Sequence, residues 1–215
     1  MQTLLDLLFP PRCIFCGEAS DASRICGVCR SELPWCGALE IKNGVLVTAP
    51  LYYEGLARNG VLRYKKQNVF QNDRALAALI AVCVRNHYLN KTVVPDLISY
   101  VGQNAVQRYR HGFNQSRNLA LSLGKMLDIP VKPLLTKTLS LAKQSRSNAE
   151  QRRANASGAY SLKRGADVAG KCILLVDDVI TTGSTVGACA EALKRAGADT
   201  VIAAGLAITK LRRTF

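Results

Sequence analysis

The sequence predicts an α/β fold, a mainly parallel sheet flanked by helices, with a small four-cysteine module at the amino end. Three observations predict it. Cys172 to Val176 is an unbroken apolar run rich in branched side chains, the pattern of a strand covered on both faces. A helical pattern and a second apolar strand, Asp199 to Thr209, follow it and complete a βαβ crossover. Far upstream, Cys13, Cys16, Cys26 and Cys29 form two Cys-x-x-Cys pairs nine residues apart, a spacing that suits one metal ion. The 215 residues suit one medium domain with a small appendage, which we divide as 1–40 for an N-terminal helix and cysteine module and 41–215 for the α/β domain.

Taken in order, Leu4, Leu5, Leu7, Leu8 and Phe9 form an apolar cluster without a basic flank, and Pro10 and Pro11 cut it off far short of a membrane span. A short helix docked on the body is expected, with no membrane insertion and a cytoplasmic location. Four thiolates around one ion leave no open position, so Cys13, Cys16, Cys26 and Cys29 read as a closed, structural zinc site. A redox dithiol fits less well, because no thioredoxin-like pattern surrounds the pairs, and disulfides would need an oxidising compartment. Cys36 is a spare, while Cys83, Cys172 and Cys189 lie in apolar patterns and belong to the core.

Pro34 to Gly44 reads as a connection, Val45 to Tyr53 as a strand and Leu56 to Lys66 as a helix carrying Arg58, Arg63, Lys65 and Lys66. That cluster suits a solvated face or an anion contact, for which Lys65 is the first candidate. Asn72 or Asp73 caps the next helix, which runs from Arg74 to Tyr88, with His87 at its surface end. Pro95 to Val101 is a strand. The interval Gln107 to Arg117 then interleaves Arg108, Arg110, His111 and Arg117 with Tyr109 and Phe113, a basic loop able to close over an anion or to line a groove where bases stack. Asn114 or Ser116 begins a helix with Leu119, Leu123 and Leu127 on one stripe. Lys132 to Leu141 is extended, and the polar, basic stretch beyond it, with a short helix from Asn148 to Ala154, reads as a flap or partner surface.

The whole chain is organised around Lys171 to Thr185. At the carboxyl end of its apolar strand stand Asp177 and Asp178, followed by Thr181, Thr182, Gly183, Ser184 and Thr185 and then a helix with Val186, Cys189 and Leu193 on one side and Gly197 as its stop. Backbone N–H groups, hydroxyls and a glycine at a helix N-terminus make a phosphate site. A site for phosphate alone would not hold two carboxylates beside it, so the ligand also carries sugar hydroxyls or a Mg²⁺ ion. No lysine lies between Asp177 and Thr185, which excludes a Walker A loop.

The stretch VDDVITTGST resembles the phosphoribosyl pyrophosphate (PRPP) signature of type I phosphoribosyltransferases. With the cysteine module, Gly112 to Gln115 (GFNQ) and the segment around Gln144, Arg152 and Asn155, the chain is similar over nearly its whole length to the ComF/GntX family. The resemblance implies a type I phosphoribosyltransferase-like sheet, with Asp177 and Asp178 on the ribose hydroxyls and Thr181, Thr182, Gly183, Ser184 and Thr185 around the 5′-phosphate. It implies PRPP bound with Mg²⁺, with Lys65, Arg108 and Arg110 countering its charge and Asp177, Asp178 and Arg110 serving any transfer reaction. It also implies a role in DNA uptake, transformation or the use of external DNA. Lys and Arg exceed Asp and Glu by 29 to 15, a net charge of +14 that favours anionic partners, single-stranded DNA among them. Of two departures from the family pattern, His111 in place of an arginine thins the positive charge beside Arg108 and Arg110, while Ser99 to Asn104 before the basic interval, together with the net charge, favours the alternative. That alternative is a non-catalytic module for single-stranded DNA or a competence helicase or motor.

Overall fold

In a computed structural model of the chain, residues 11–20, 23–66, 70–91, 93–102, 113–137 and 159–210 are described. After a short helix α1 (Gly27–Glu32), strands β1 (Trp35–Lys42) and β2 (Val45–Tyr52) form a hairpin. Helices α2 (Gly55–Tyr64) and α3 (Phe70–His87), a 3₁₀ turn, β3 (Leu97–Tyr100) and α4 (Gln115–Leu127) follow. A small ribbon of β4 (Leu135–Lys137) and β5 (Tyr160–Leu162) precedes β6 (Cys172–Ile180), α5 (Ser184–Arg195) and β7 (Thr200–Ile208). The main sheet has the order β1-β2-β7-β6-β3, and only the β1 edge is antiparallel.

Both faces of this sheet are covered, which is why β6 and β7 read as continuous apolar runs. On one face α2, α3, α4 and the cysteine module share a core that includes Ile14, Phe15, Val61, Leu76 and Leu123. On the other, α5 and the ribbon close over Val47, Leu175, Val186 and Leu193. Val186, Cys189 and Leu193 are buried as their spacing predicts. Leu119 and Leu123 are buried too, while Leu127 at the helix end is half-buried. Asn114 does cap α4, its Oδ1 accepting from Arg117 N at 2.9 Å. Gly197, at φ 97°, stops α5 in a conformation that side chains resist.

Several expectations are corrected. Pro34 to Gly44 is not a connection. Trp35–Lys42 is strand β1, and consecutive positive φ angles at Asn43 and Gly44 turn it tightly into β2. The third helix begins at Phe70, so Asp73 lies in its first turn instead of capping it. The Asp73 carboxylate is buried, accepting from Tyr64 Oη at 2.6 Å and Asn118 Nδ2 at 3.2 Å, so tertiary partners claim the residue that local logic assigned to a cap. His87 is not simply a surface residue. It is half-buried, with Nδ1 2.7 Å from Thr48 Oγ1. Cys172 is half-buried at the start of β6, whereas Cys83 and Cys189 are core. The extended stretch from Lys132 narrows to Leu135–Lys137 among the described residues, and the N-terminal apolar cluster and the helix expected at 148–154 lie outside them.

The cysteine module is held to the body at α2. The Phe15 ring lies so close to Gly60 that an added Cβ would stand 2.2 Å from its Cδ1. Arg63 Nη1 donates to the carbonyls of Ile14 and Phe15 at 3.2 and 2.7 Å. Gly60→Ala should therefore lower stability by about 1–2 kcal/mol, overpacking outweighing alanine's better helix propensity, as urea unfolding at constant m-value would measure.

Candidate functional site

Strand β3 pairs with β6 only as far as Tyr100 opposite Val176, whereas β6 continues beside β7 to Ile180. The strand does not end at Val176, as the change in polarity led us to expect. Asp177 and Asp178 are its continuation, on a ledge left open where β3 stops. A crevice of about 210 Å³ lies over this ledge, lined by Asp177, Asp178, Thr185, Lys65, Ser116, Gln115, Lys137 and Tyr160. The site thus sits beyond the carboxyl ends of parallel strands, where open α/β sheets bind their ligands.

Asp177 is half-buried, and Oδ1 accepts from Ser116 Oγ and from Asp178 N, both at 2.9 Å. Burial, then the neighbouring charge of Asp178, push its carboxyl up to about 7, against the opposing pull of Ser116. Asp178 accepts from Val179 N at 2.7 Å and pairs with Lys65 Nζ at 2.8 Å. For Lys65, burial favours the neutral amine, but the Asp178 carboxylate outweighs it and raises the ammonium's pKa. One carboxylate is therefore oriented by a hydroxyl and the other by a cation.

The loop beyond is open. Gly183, at φ 78°, occupies the N-cap of α5 without a side chain to cap it, leaving first-turn N–H groups for a ligand. Thr181, Thr182, Ser184 and Thr185 are exposed around it, and Thr182 Oγ1 lies 2.7 Å from Ser184 Oγ. An adjoining cavity of about 240 Å³ shares Gly102 and Lys137 with the crevice and is lined by Asn114, Arg117 and Lys163. Among the described residues the charged side chains that line it, Arg117, Lys137 and Lys163, are all cations.

The structure brings Asp177, Asp178, Lys65 and Thr185 together, with Thr181 to Ser184 in the adjoining loop; Arg108 and Arg110 lie outside the described residues. Sequence reasoning missed Lys137, Tyr160 and the bond from Ser116 to Asp177. Ser116 was visible only as a possible helix start, and Lys137, 5.8 Å above the Tyr160 ring, lies in a segment with no telling periodicity.

In the cysteine module the four sulfurs all lie within 4.8 Å of one another, and Cys16 Sγ is 3.7 Å from Cys26 Sγ. A zinc tetrahedron with bonds of about 2.3 Å needs sulfurs about 3.8 Å apart, so the donors fit the ion. Burial alone would raise the Cys13 thiol, but N–H donors from Cys16, Cys26 and Phe15 overcome it and bring it down to about 6, ready to ligate as thiolate. Among the described residues no helix is long and apolar enough to cross a membrane.

Comparison with known proteins gives this arrangement a context. The profile of the phosphoribosyl transferase domain matches residues 115–214, and that of the double zinc ribbon domain matches residues 4–39. Competence protein F of Haemophilus influenzae is 31% identical over 205 residues, covering 91% of this chain and 89% of that protein. The DNA utilization protein YhgH of Shigella flexneri is 29% identical, covering 88% and 80%. Among solved structures, a purine phosphoribosyltransferase from Pyrococcus horikoshii shares 24% identity over 65% of this chain and 76% of its own, with a TM-score of 0.37. The chain therefore combines a phosphoribosyltransferase-type α/β domain with a zinc-ribbon module. It belongs to the ComF family of competence proteins.

Two outcomes follow from this geometry. Because the Asp177 carboxyl is raised in the folded state, its stabilising contribution is complete below its unfolded value and is lost as pH rises through about 7. Asp177→Asn should thus be more stable than the parent at pH 8, on the order of 1–2 kcal/mol after allowance for partial exposure, with the gap closing toward pH 4 in denaturant titrations. Native mass spectrometry should find one zinc per chain, absent after Cys13→Ser with Cys26→Ser, and the stripped protein should unfold earlier on heating.

Proposed function

We propose that the crevice binds PRPP together with Mg²⁺, and that the protein acts in natural competence, in the uptake or use of external DNA. The observation that carries this reading is the Asp177–Asp178 ledge beside the uncapped N-terminus of α5. Carboxylates accept from ribose hydroxyls, and the open N–H groups and hydroxyls of Thr181 to Thr185 donate to a 5′-phosphate. The cation-lined cavity across Gly102 and Lys137 suits the pyrophosphate, whose charge Arg117, Lys137 and Lys163 would counter. Mg²⁺, when bound, would neutralise part of that charge.

If the protein is a transferase, a nucleophile attacks ribose C1 as the C1–O bond to pyrophosphate breaks and the bonding electrons leave with pyrophosphate. The chain's own work is electrostatic. Asp177 and Asp178 hold the sugar while positive charge builds at C1, and the lysines and Arg117 stabilise the leaving anion, with Arg108 and Arg110 as further candidates. The names of the relatives support the competence role, and the net charge of +14 favours a second reading alongside it, contact with single-stranded DNA or a competence motor.

Calorimetry with PRPP and Mg²⁺ tests the first reading. The parent should bind, and Asp177→Asn with Asp178→Asn should weaken binding at least about a hundredfold, the cost of two charged hydrogen-bonding partners. Affinity for single-stranded DNA should survive those substitutions. It should fall steeply with salt, by about 0.7 in log K per log unit of salt for each phosphate contacted. Equal loss of both ligands would show that one surface serves both.

A further inference from the structure

The open loop from Thr181 to Ser184 must be held from behind, and few of its own contacts do this. Thr209, just past β7, grips it twice: its N–H donates to Ile180 O and its Oγ1 to Thr181 O, both at 3.1 Å. Thr209 is itself gripped by a residue far away in sequence. Lys42, the last residue of the edge strand β1, is buried, with its side chain 1% exposed, and Nζ donates to Thr209 O at 2.7 Å.

The backbone of the same residue walls off the loop. A Cβ built at Gly183 would stand 2.7 Å from Lys42 Cβ and 3.0 Å from its carbonyl carbon. One turn along α5, a Cβ at Gly187 would stand 2.0 Å from Asn43 Nδ2. The tip of the β1–β2 hairpin is therefore seated on the first turn of α5, and two glycines make room for it. Burying an ammonium is costly without partners. Lys42 has the Thr209 carbonyl and, at 3.5 Å, the Glu40 carboxylate, whose buried Oε2 has no hydrogen-bond partner among the described residues. A hydrophobic residue would fill this position at less cost if filling it were all that was needed.

We propose that Lys42 is a positioning residue for the phosphate loop, acting through Thr209 and Gly183, so that the edge hairpin sets the shape of the cradle. This rests on reading the loop as a phosphate site. The test is hydrogen exchange at Thr182 to Val186 together with calorimetry using ribose 5-phosphate. Lys42→Met combined with Glu40→Gln avoids stranding a buried carboxylate, and Thr209→Val removes only the hydroxyl link.

Both variants should raise loop exchange and weaken ribose 5-phosphate by about tenfold, while Thr209→Ser behaves like the parent and amides in β2 and β7 keep their protection. Loop exchange within about twofold of the parent in the Lys42 variant would overturn the proposal. Equal loss of protection in β2 and β7 would also overturn it, since Lys42 would then merely stabilise the sheet. Failure of the parent to bind ribose 5-phosphate would sink the phosphate reading, and loop exchange would still decide the role of Lys42.

Discussion

The site exists because one strand outruns its neighbour. Beside Val176 the parallel partner β3 ends, yet β6 continues along β7 to Ile180 and carries two adjacent carboxylates on the ledge so created. Successive residues of a strand point to opposite faces, so the two neighbouring carboxylates, though both line the crevice, take different partners. Ser116 from α4 meets the first and Lys65 from the end of α2 meets the second. The remaining layers of the fold can be understood as what delivers those two partners to the ledge.

Helix α2 has a double role in that delivery. Arg63 holds the carbonyls of Ile14 and Phe15 in the cysteine module, and two residues on, Lys65 reaches Asp178. Between them Tyr64, fully buried, donates to Asp73 at the start of α3. The α2 segment therefore meets the metal-binding module, the core and the sheet ledge within three residues. The module and the body share one hydrophobic core instead of facing each other across a linker.

Legibility followed the range of the interactions. The β6–loop–α5 unit was readable because each signal lies beside the next: an apolar run, two acids, a glycine at positive φ and a stripe formed by Val186, Cys189 and Leu193. The cysteine cluster was readable because metal geometry imposes a local spacing that survives in sequence. Edge strand β1 was missed, since its exposed Trp35, Leu39 and Ile41 alternate with polar and small residues in a way that also suits a connection. Asp73 was misassigned because a helix-capping pattern and a buried hydrogen-bonding role call for the same side chain.

What the sequence determined by itself was the class of fold, the cysteine set with its metal chemistry, and the pair of acids beside an open helix N-terminus. These depend on backbone periodicity and on contacts within a few residues, which are written into spacing. Only the tertiary structure decided that Ser116, Lys65 and Lys137 converge on the acids, and that Lys42 stands behind the loop. Those side chains come from separate elements, brought together by burial of two cores on either side of the sheet. Hydrophobic burial is non-directional and leaves no mark in the local pattern of the polar residues it assembles.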